Sequence, residues 1–419
     1  MIIEFSVKNF RSLRDLATLS LEAKPLRSGK GCLISAGIDL LPTAGIFGHN
    51  ASGKSNLARA LGFMQWAMLN SDYLNQPITK SPLLQPFLLN ETSAKEPSFF
   101  QVVSWNQKTQ TEYRYGFEID REKVVSEWLE VTSKVNKNRR QRMVFQRTEQ
   151  TIEVFDEKMK KSVGHLVNNV LPTALALTVF AQFADATSSE VIRLMNRSSI
   201  TIFDGHEKSD HTVEALQKYH DDPVLAKKVL PLLQKFDLGI QGLKVLQEPV
   251  NASHLASLPA EFRHLIHKDA SALQAVTSHK VHGSKNKHVE FNFYTHESLG
   301  TRRLFFLAVF LIQCLETGGL FVFDEFGSSI HPMMSKEIVA LFQNRKTNPN
   351  GAQLIFCSHE TYLLSKQAGL RSDQIWFTEK NAREETVLSS LSQYKVRSEC
   401  EFERNYRQGR FGGVPVIRP

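Results

Sequence analysis

The strongest chemical signal in the chain is the run Gly48-His49-Asn50-Ala51-Ser52-Gly53-Lys54-Ser55. Its spacing matches the pattern G-x-x-x-x-G-K-[ST] of a phosphate-binding loop, whose backbone N–H groups surround the phosphates of a nucleotide. Lys54 is expected to reach the β- and γ-phosphates, and the Ser55 hydroxyl is expected to ligate Mg²⁺. The run therefore predicts a site for ATP and Mg²⁺.

Three polar side chains that follow apolar segments are candidates for the hydrolytic chemistry. Asp324 and Glu325 come after the run 320–323, and His359 comes after the run 354–358. Asp324 is placed to hold Mg²⁺, and Glu325 could orient or deprotonate the attacking water. His359 could donate to the γ-phosphate or hold that water. An acid pair after an apolar run can also be a solvated strand end, and the phosphate loop upstream favours the catalytic interpretation.

The segments around these residues predict an α/β fold of the P-loop NTPase class. Residues 43–47 are expected to form a buried strand and residues 54–69 a helix, the arrangement that aims a helix N-terminus at phosphate. The apolar segments that precede Asp324 and His359 are typical of buried parallel strands. Two more segments are expected to complete this sheet, at 374–378 and 385–391.

The length of 419 residues predicts two or three domains or one large fold with insertions. We expect three parts, namely the N-terminal half of the ATPase domain at 1–160, a helical or irregular insert at 161–286, and the C-terminal half at 287–419.

Short alternating segments predict an antiparallel β subdomain within the first part, at 99–105, 112–119, 124–131 and 143–145. Residues 166–246 have a mainly helical pattern, so a helical lobe is expected there. Residues 250–285 show no clear period and are expected to be a mobile insert.

Composition indicates an ordinary globular protein, with 42% hydrophobic and 22% charged residues. The longest apolar run, 304–312, is too short to span a bilayer, and residues 1–5 do not resemble a signal peptide. We therefore expect a cytoplasmic protein without a membrane partner. Neither a zinc site nor a disulfide framework is indicated, because the cysteines are scattered, at Cys32, Cys314, Cys357 and Cys400.

The formal net charge of +8 permits a nucleic-acid partner without requiring one. Basic residues cluster at 134–142, 158–161 and 280–287. All three clusters are expected in loops or strand ends, where a solvated surface is the commoner explanation.

Four elements in order resemble the ABC-type ATPase superfamily, in the branch shared with SMC and RecF proteins. They are the phosphate loop, the turn Ser298-Leu299-Gly300-Thr301 before a helix, the pair Asp324-Glu325 and His359. In this resemblance the acid pair is the Walker B motif and His359 is the switch histidine. The Ser298 turn is similar to a degenerate signature motif that keeps Ser298 and Gly300 but lacks the usual Gly-Gln ending.

Further residues carry the same resemblance. Asn50 and Asn56 are similar to that branch's Walker A segment, and Asn9-Phe10-Arg11-Ser12 is similar to its N-terminal strand motif. The resemblance implies that nucleotide is bound by the loop residues, including Ser52 and Gly53, together with Asn50 and Asn56. Arg11 either touches the nucleotide or caps a turn.

The signature motif implies a head-to-tail dimer. In the superfamily its Ser and Gly contact the γ-phosphate held by the partner's loop, so Ser298 and Gly300 would act across two protomers. ATP binding would close the dimer and hydrolysis would open it, and higher oligomers are compatible with this arrangement.

The chain is also similar to bacterial ABC-type AAA ATPases that include RloA, AbiL-type and PARIS AriA-like proteins. The similarity covers 1–100 and 288–415 and is carried by 297–302, 324–332, 358–361, 373–380 and 406–415. It implies an anti-phage system with a phage protein as trigger and a separate effector, a Toprim-type or HNH nuclease.

Three functions stay open from the sequence. The first is the ATPase sensor or regulatory subunit of such a system, and the second is a RecF- or SMC-type DNA-maintenance ATPase that binds duplex through its basic loops. The third is a nuclease with an unrecognised site. Asp204, Glu207 and Asp210 lie near one another but form no known motif.

Overall fold

The computed structural model describes residues 1–25, 34–35, 37–71, 77–135, 138–197, 209–236, 239–249, 271–284, 287–328, 330–394 and 402–411. The chain forms two compact units. The first unit comprises 1–204, 317–328 and 335–419, and the second comprises 205–316 and 329–334. The three-part division expected from the sequence stays a prediction.

The strands, in chain order, are β1 (Ile2–Lys8), β2 (Ala17–Ser20), β3 (Ile34–Ser35), β4 (Asp39–Leu40), β5 (Thr43–Phe47), β6 (Ser98–Asn106), β7 (Thr111–Ile119), β8 (Val124–Val135), β9 (Asn138–Thr148), β10 (Thr151–Val154), β11 (Ile240–Pro249), β12 (Ser271–Lys280), β13 (His288–Asn292), β14 (Leu320–Phe323), β15 (Gln353–Ser358), β16 (Ile375–Lys380) and β17 (Thr386–Ser390).

The α-helices are α1 (Lys54–Asn70), α2 (Glu157–Val163), α3 (Ala176–Gln182), α4 (Ala186–Asn196), α5 (Ser209–Asp221), α6 (Pro223–Lys235), α7 (Phe293–His296), α8 (Leu299–Thr317), α9 (Pro332–Gln343) and α10 (Phe402–Arg407). Short 3-10 turns lie at Ile78–Lys80, Ser93–Lys95, Gly164–Asn169, Thr361–Leu364, Lys366–Ala368, Ser372–Gln374 and Leu391–Gln393.

The first unit contains an antiparallel sheet of seven strands in the order β10-β9-β8-β7-β6-β1-β2. Its run from β6 to β10 confirms the predicted meander. Strands β6 to β9 carry buried side chains, and aromatic rings among them contact two helices. The ring of Phe100 on β6 lies 5.0 Å from that of Phe63 on α1, and Phe145 on β9 lies 5.6 Å from Phe180 on α3. Burial of this apolar face holds α1 and α3 against the sheet.

A second sheet of the first unit has the order β14-β15-β5-β16-β17. The pairs from β14 to β16 are parallel, and β17 is antiparallel to β16. All residues of β5, β14 and β15 are buried, which explains their continuous apolar sequences. The strands predicted at 43–47, 320–323 and 354–358 are confirmed.

The second unit contains the antiparallel sheet β11-β12-β13. Phe305 of α8 packs on Phe293 of α7 and Tyr219 of α5, with ring centroids 5.3 and 5.5 Å apart. The helical pattern expected to continue to residue 246 is wrong, because residues 240–249 form β11. A register shift between Ile240 and Gly242 interrupts the alternation of apolar and polar residues that would mark a strand.

These two units confirm the predicted fold class, α/β with an antiparallel β subdomain. The expected insert at 250–285 is only partly described, because 271–280 form β12, whereas 250–270 and 285 lie outside the described residues. No helix in the described part of the chain is long and apolar enough to cross a membrane.

Candidate nucleotide-binding site

The phosphate loop joins β5 to α1 at the carboxyl end of the parallel strands, as predicted. Gly53 has a φ of 108°, and an added Cβ would lie 2.0 Å from Oγ1 of Thr386. A Cβ on Gly48 would lie 2.5 Å from the carbonyl oxygen of Thr378. Both glycines are therefore required, because β16 and β17 approach the loop too closely for any side chain.

The side chain of Lys54 is buried and turned back onto the loop. Its Nζ donates to the carbonyl oxygens of Gly48 at 2.7 Å and His49 at 2.9 Å. Burial lowers the pKa of Lys54, and the negative charges of Asp324 and Glu325 act against that shift. The structure thus brings the predicted lysine and the predicted carboxylates within electrostatic reach of one another.

Asp324 and Glu325 follow β14 in different environments. Asp324 is 2% exposed, and its Oδ1 accepts a hydrogen bond from the backbone N–H of Glu325 at 3.1 Å. Glu325 is exposed and has a φ of 55°, which turns the chain out of the strand. A non-glycine residue in this conformation carries strain, which is more frequent at functional positions.

His359 follows β15 at the same edge of the sheet. Its side chain is 44% exposed, and Nε2 lies 3.4 Å from a carboxylate oxygen of Glu360. The preceding Ser358 donates to the carbonyl oxygen of Phe326 at 2.6 Å and accepts from the N–H of Glu360 at 3.0 Å. Ser358 therefore ties the segment that carries Glu325 to the segment that carries His359.

The buried thiol of Cys357 lies between the phosphate loop helix and Asp324. Its Sγ donates to the carbonyl oxygen of Lys54 at 3.5 Å. Burial raises the pKa of Cys357 well above its usual value, and the charge of Asp324 adds to that rise. The thiol is therefore neutral and fills space beside the two charged groups.

A set of hydroxyl groups holds the phosphate loop and was missed by sequence reasoning. Oγ1 of Thr386 donates to the carbonyl oxygen of Ser52 at 2.9 Å and lies 2.8 Å from Oγ of Ser12. Oγ of Ser52 lies 2.7 Å from Oγ1 of Thr378. Asn56, predicted as a nucleotide-binding residue, donates to Oγ of Ser12 at 2.7 Å. Asn56 thus has a structural role in this network.

Arg11 lies next to that network in a turn. Its φ is 51°, and its backbone N–H donates to the carbonyl oxygen of Gln85 at 2.7 Å. Burial, and then the positive charge of Arg59, lower the pKa of Arg11. Its Nε is buried and has no hydrogen-bond partner among the described residues. Contact between Arg11 and the nucleotide stays a prediction.

Asn50 is exposed at the tip of the loop, and Ser55 is half-buried in the first turn of α1. Mg²⁺ bound with a nucleotide takes one or two protein ligands plus phosphate oxygens and waters. Ser55 and the buried Asp324 are the pair predicted for this role, and the described residues contain no cluster of three or more His, Cys, Asp or Glu that could hold a metal alone. The residues therefore fit Mg²⁺ bound with a nucleotide, and their individual roles stay predictions.

Ser298 and Gly300 belong to the second unit. Ser298 caps α8, because its Oγ accepts from the N–H of Thr301 at 3.0 Å. The preceding Glu297 is fixed by β12, since its carboxylate accepts from the hydroxyl of Thr277 and lies 2.7 Å from Nε2 of His279. Ser298 and Gly300 are exposed at the start of α8, and their contact with a partner's nucleotide stays a prediction.

Solved structures that are similar to this chain include two SMC heads. One is described as "Crystal structure of the SmcHead bound to the C-winged helix domain of ScpA", with 14% identity and a TM-score of 0.42 over 94% of this chain and 98% of that chain. The other is the SMC head domain from Thermotoga maritima, with 14% identity and a TM-score of 0.41 over 94% and 99% of the two chains. These values are too low to support a functional argument.

Among curated proteins, none matches this chain by sequence. A protein family described as "AAA domain, putative AbiEii toxin, Type IV TA system" matches residues 44–153 and 177–365. The match covers more than half of the chain and includes the phosphate loop, the carboxylate pair and His359. The chain belongs to this AAA-domain family.

Proposed function

We propose that the chain is an ATPase whose ATP-dependent head-to-tail dimer controls a separate effector in anti-phage defence. One observation supports the ATPase most directly. Three kinds of group, the ammonium of Lys54, the carboxylates of Asp324 and Glu325 and the imidazole of His359, come from three separate segments to one edge of the parallel sheet. Ligand sites of open α/β sheets lie at this edge.

The proposed roles follow from the environment of each group. Lys54 binds phosphate oxygens, and its positive charge attracts them more strongly than it would in water because the side chain is desolvated. Asp324 and Ser55 hold Mg²⁺, which neutralises charge on the phosphates. Glu325 is exposed and accepts a proton from water, while His359 positions that water or donates to the phosphate.

The dimer and the defence setting rest on sequence resemblance. Ser298 and Gly300 would supply the trans contacts to ATP, and the capped start of α8 holds them at the end of a rigid helix. The similarity to RloA, AbiL-type and AriA-like proteins supports a phage protein as trigger and a Toprim-type or HNH nuclease as effector. The family description also names a putative AbiEii toxin and a Type IV TA system.

ATP-dependent self-association tests this proposal. We expect Glu325→Gln to form dimers or larger oligomers with ATP and Mg²⁺, because it binds nucleotide but does not hydrolyse it. Light scattering coupled to size exclusion should show no such species with ADP. Lys54→Ala is the control and should stay in its nucleotide-free state. Identical mass distributions for Glu325→Gln with ATP and with ADP would contradict the dimer switch.

A second candidate function, DNA maintenance, is favoured by one surface. Arg139 and Arg140 are exposed on β9, near the tip of the β8–β9 hairpin, within the basic cluster 134–142. Exposed cations near the tip of a hairpin are suited to phosphate contacts. The basic cluster at 280–287 also lies at a hairpin, between β12 and β13. The nuclease hypothesis stays a prediction, because Asp204 and Glu207 lie outside the described residues.

Duplex DNA distinguishes this candidate from the first. If the hairpin binds DNA, linear duplex should stimulate ATP hydrolysis, and the double variant Arg139→Glu/Arg140→Glu should lose that stimulation and reduce the salt slope of binding by about 2. The matched control is Arg345→Glu/Lys346→Glu, another adjacent pair of exposed cations. Hydrolysis that is indifferent to DNA supports a sensor that awaits a protein trigger.

A further inference from the structure

The hydroxyl groups behind the phosphate loop form a chain with a fixed direction. The amide nitrogen of Asn56 is only a donor, and the carbonyl oxygen of Ser52 is only an acceptor. Since Asn56 donates to Ser12 at 2.7 Å and Thr386 donates to Ser52 at 2.9 Å, the hydroxyl proton of Ser12 must point to Thr386, 2.8 Å away. Each hydroxyl accepts one hydrogen bond and donates one.

This chain fixes the orientation of one peptide group in the loop. The peptide bonds of the described residues are all trans, so the N–H of Gly53 points opposite to the carbonyl of Ser52. Because Thr386 holds that carbonyl on the side of β17, the Gly53 N–H is turned to the other side of the loop. In phosphate loops this N–H is one of the donors that surround phosphate.

The two residues whose hydroxyls form this chain of hydrogen bonds, Ser12 and Thr386, are also joined through their backbones. The backbone N–H of Thr386 donates to the carbonyl oxygen of Ser12 at 2.7 Å. The neighbouring Glu385, with its side chain 6% exposed, forms an ion pair with Arg14 at 2.6 Å. Thr386 therefore cannot move away from the loop without breaking contacts between β17 and the N-terminal turn.

We propose that Thr386 is a positioning residue of the nucleotide site, which sets nucleotide affinity by holding the Ser52–Gly53 peptide with its N–H available to phosphate. The proposal rests on nucleotide binding by the phosphate loop. It adds a residue outside the phosphate-loop pattern, Thr386 at the start of β17, that holds the loop in its binding conformation.

Thr386→Val tests the proposal, because it keeps the shape of the side chain and removes the hydroxyl. Without nucleotide, we expect amide hydrogen exchange of a loop peptide covering 48–57 to become about tenfold faster. The Kd for a non-hydrolysable ATP analogue should rise about tenfold, the effect of losing one buried hydrogen bond. Thr386→Ser restores the hydroxyl and should return both values to within about threefold of the wild type.

Two further variants make the test specific. Thr18→Val is the matched control, since Thr18 on β2 also forms a hydroxyl–hydroxyl contact, 2.9 Å from Ser6, away from the loop. It should change neither value. Ser12→Ala removes the hydroxyl that donates to Thr386. Its effect should not add to that of Thr386→Val, because both substitutions break the same chain of hydrogen bonds.

The outcomes separate this inference from the proposed function. Wild-type loop exchange and ATP affinity in a folded Thr386→Val protein would overturn the inference alone, as would equal losses in Thr18→Val. If Thr386→Val does not fold, Thr386→Ala takes its place, and wild-type loop exchange and Kd in Thr386→Ala overturn the inference. A wild-type protein that binds no ATP would overturn the proposed function and this inference together.

Discussion

Glu325→Gln is expected to lower the rate of ATP hydrolysis by about 10²- to 10⁴-fold, the usual contribution of a general base. The amide keeps the size of the side chain but does not accept a proton from water. Because Glu325 is exposed and lies outside the loop's hydrogen bonds, ATP affinity should change less than about threefold. Phosphate release under single-turnover conditions and the Kd of the ATP analogue measure the two effects.

Glu153→Gln provides the control for this substitution. Glu153 is an exposed carboxylate on β10 of the antiparallel sheet, and the same change there should leave both hydrolysis and binding at wild-type values. A Glu325→Gln protein that hydrolyses ATP at more than about a tenth of the wild-type rate would show that another group activates the water.

The second large effect concerns stability. Glu127 on β8 is fully buried and accepts hydrogen bonds from the hydroxyl of Tyr115 at 2.9 Å and from the N–H groups of Ala176 and Leu177 at 2.8 and 2.9 Å. Glu127→Ala leaves three buried donors without an acceptor and also removes the negative charge that acts most strongly on the buried Arg147. We expect a loss of about 3–5 kcal/mol in the free energy of unfolding.

Urea unfolding followed by tryptophan fluorescence measures this loss, since Trp105 and Trp128 lie in the same sheet. Glu118→Ala is the matched control on neighbouring β7. Glu118 is half-buried and accepts one hydrogen bond, from Ser126 at 2.8 Å, so its loss should cost less than about 1 kcal/mol. Equal losses in the two variants would show that the buried network adds nothing specific.

The same carboxyl group gives a pH dependence with a defined sign. Burial raises the pKa of Glu127 above its usual value, although the charge of Arg147 and the hydrogen bonds oppose that shift. The folded state therefore binds this proton more tightly than the unfolded state. Its contribution to stability is present below the usual carboxyl pKa and is lost as the pH rises through the folded pKa.

The candidate residues of the nucleotide site could largely be located from the sequence. Gly48, Gly53 and Lys54 occur in a contiguous pattern whose spacing is set by the loop itself. Asp324 and His359 each follow a continuous apolar segment, and parallel strands of that kind end at one edge of a sheet. Local sequence was sufficient because each of these groups is placed by its own strand.

The groups that support the site could not be predicted in the same way. Ser12 and Thr386 are 374 positions apart, and a single serine or threonine carries no period or motif. Glu127 and Arg147 lie in strands that carry several other charged residues, so only the fold shows that these two side chains are buried and that their charges compensate one another. The strand β11 was mistaken for helix because a bulge interrupts its alternation.

The position of β5 in its sheet has a consequence for the order in which the chain is synthesised. This strand lies between β15 and β16, and Gln374 donates to the hydroxyl of Thr43 across 331 positions of sequence. At about 5–20 residues per second, the ribosome completes the neighbours of β5 on the order of 20–60 s after β5 itself. The nascent chain therefore carries its phosphate loop without a sheet to hold it, and nucleotide capture must await the synthesis of β15 and β16.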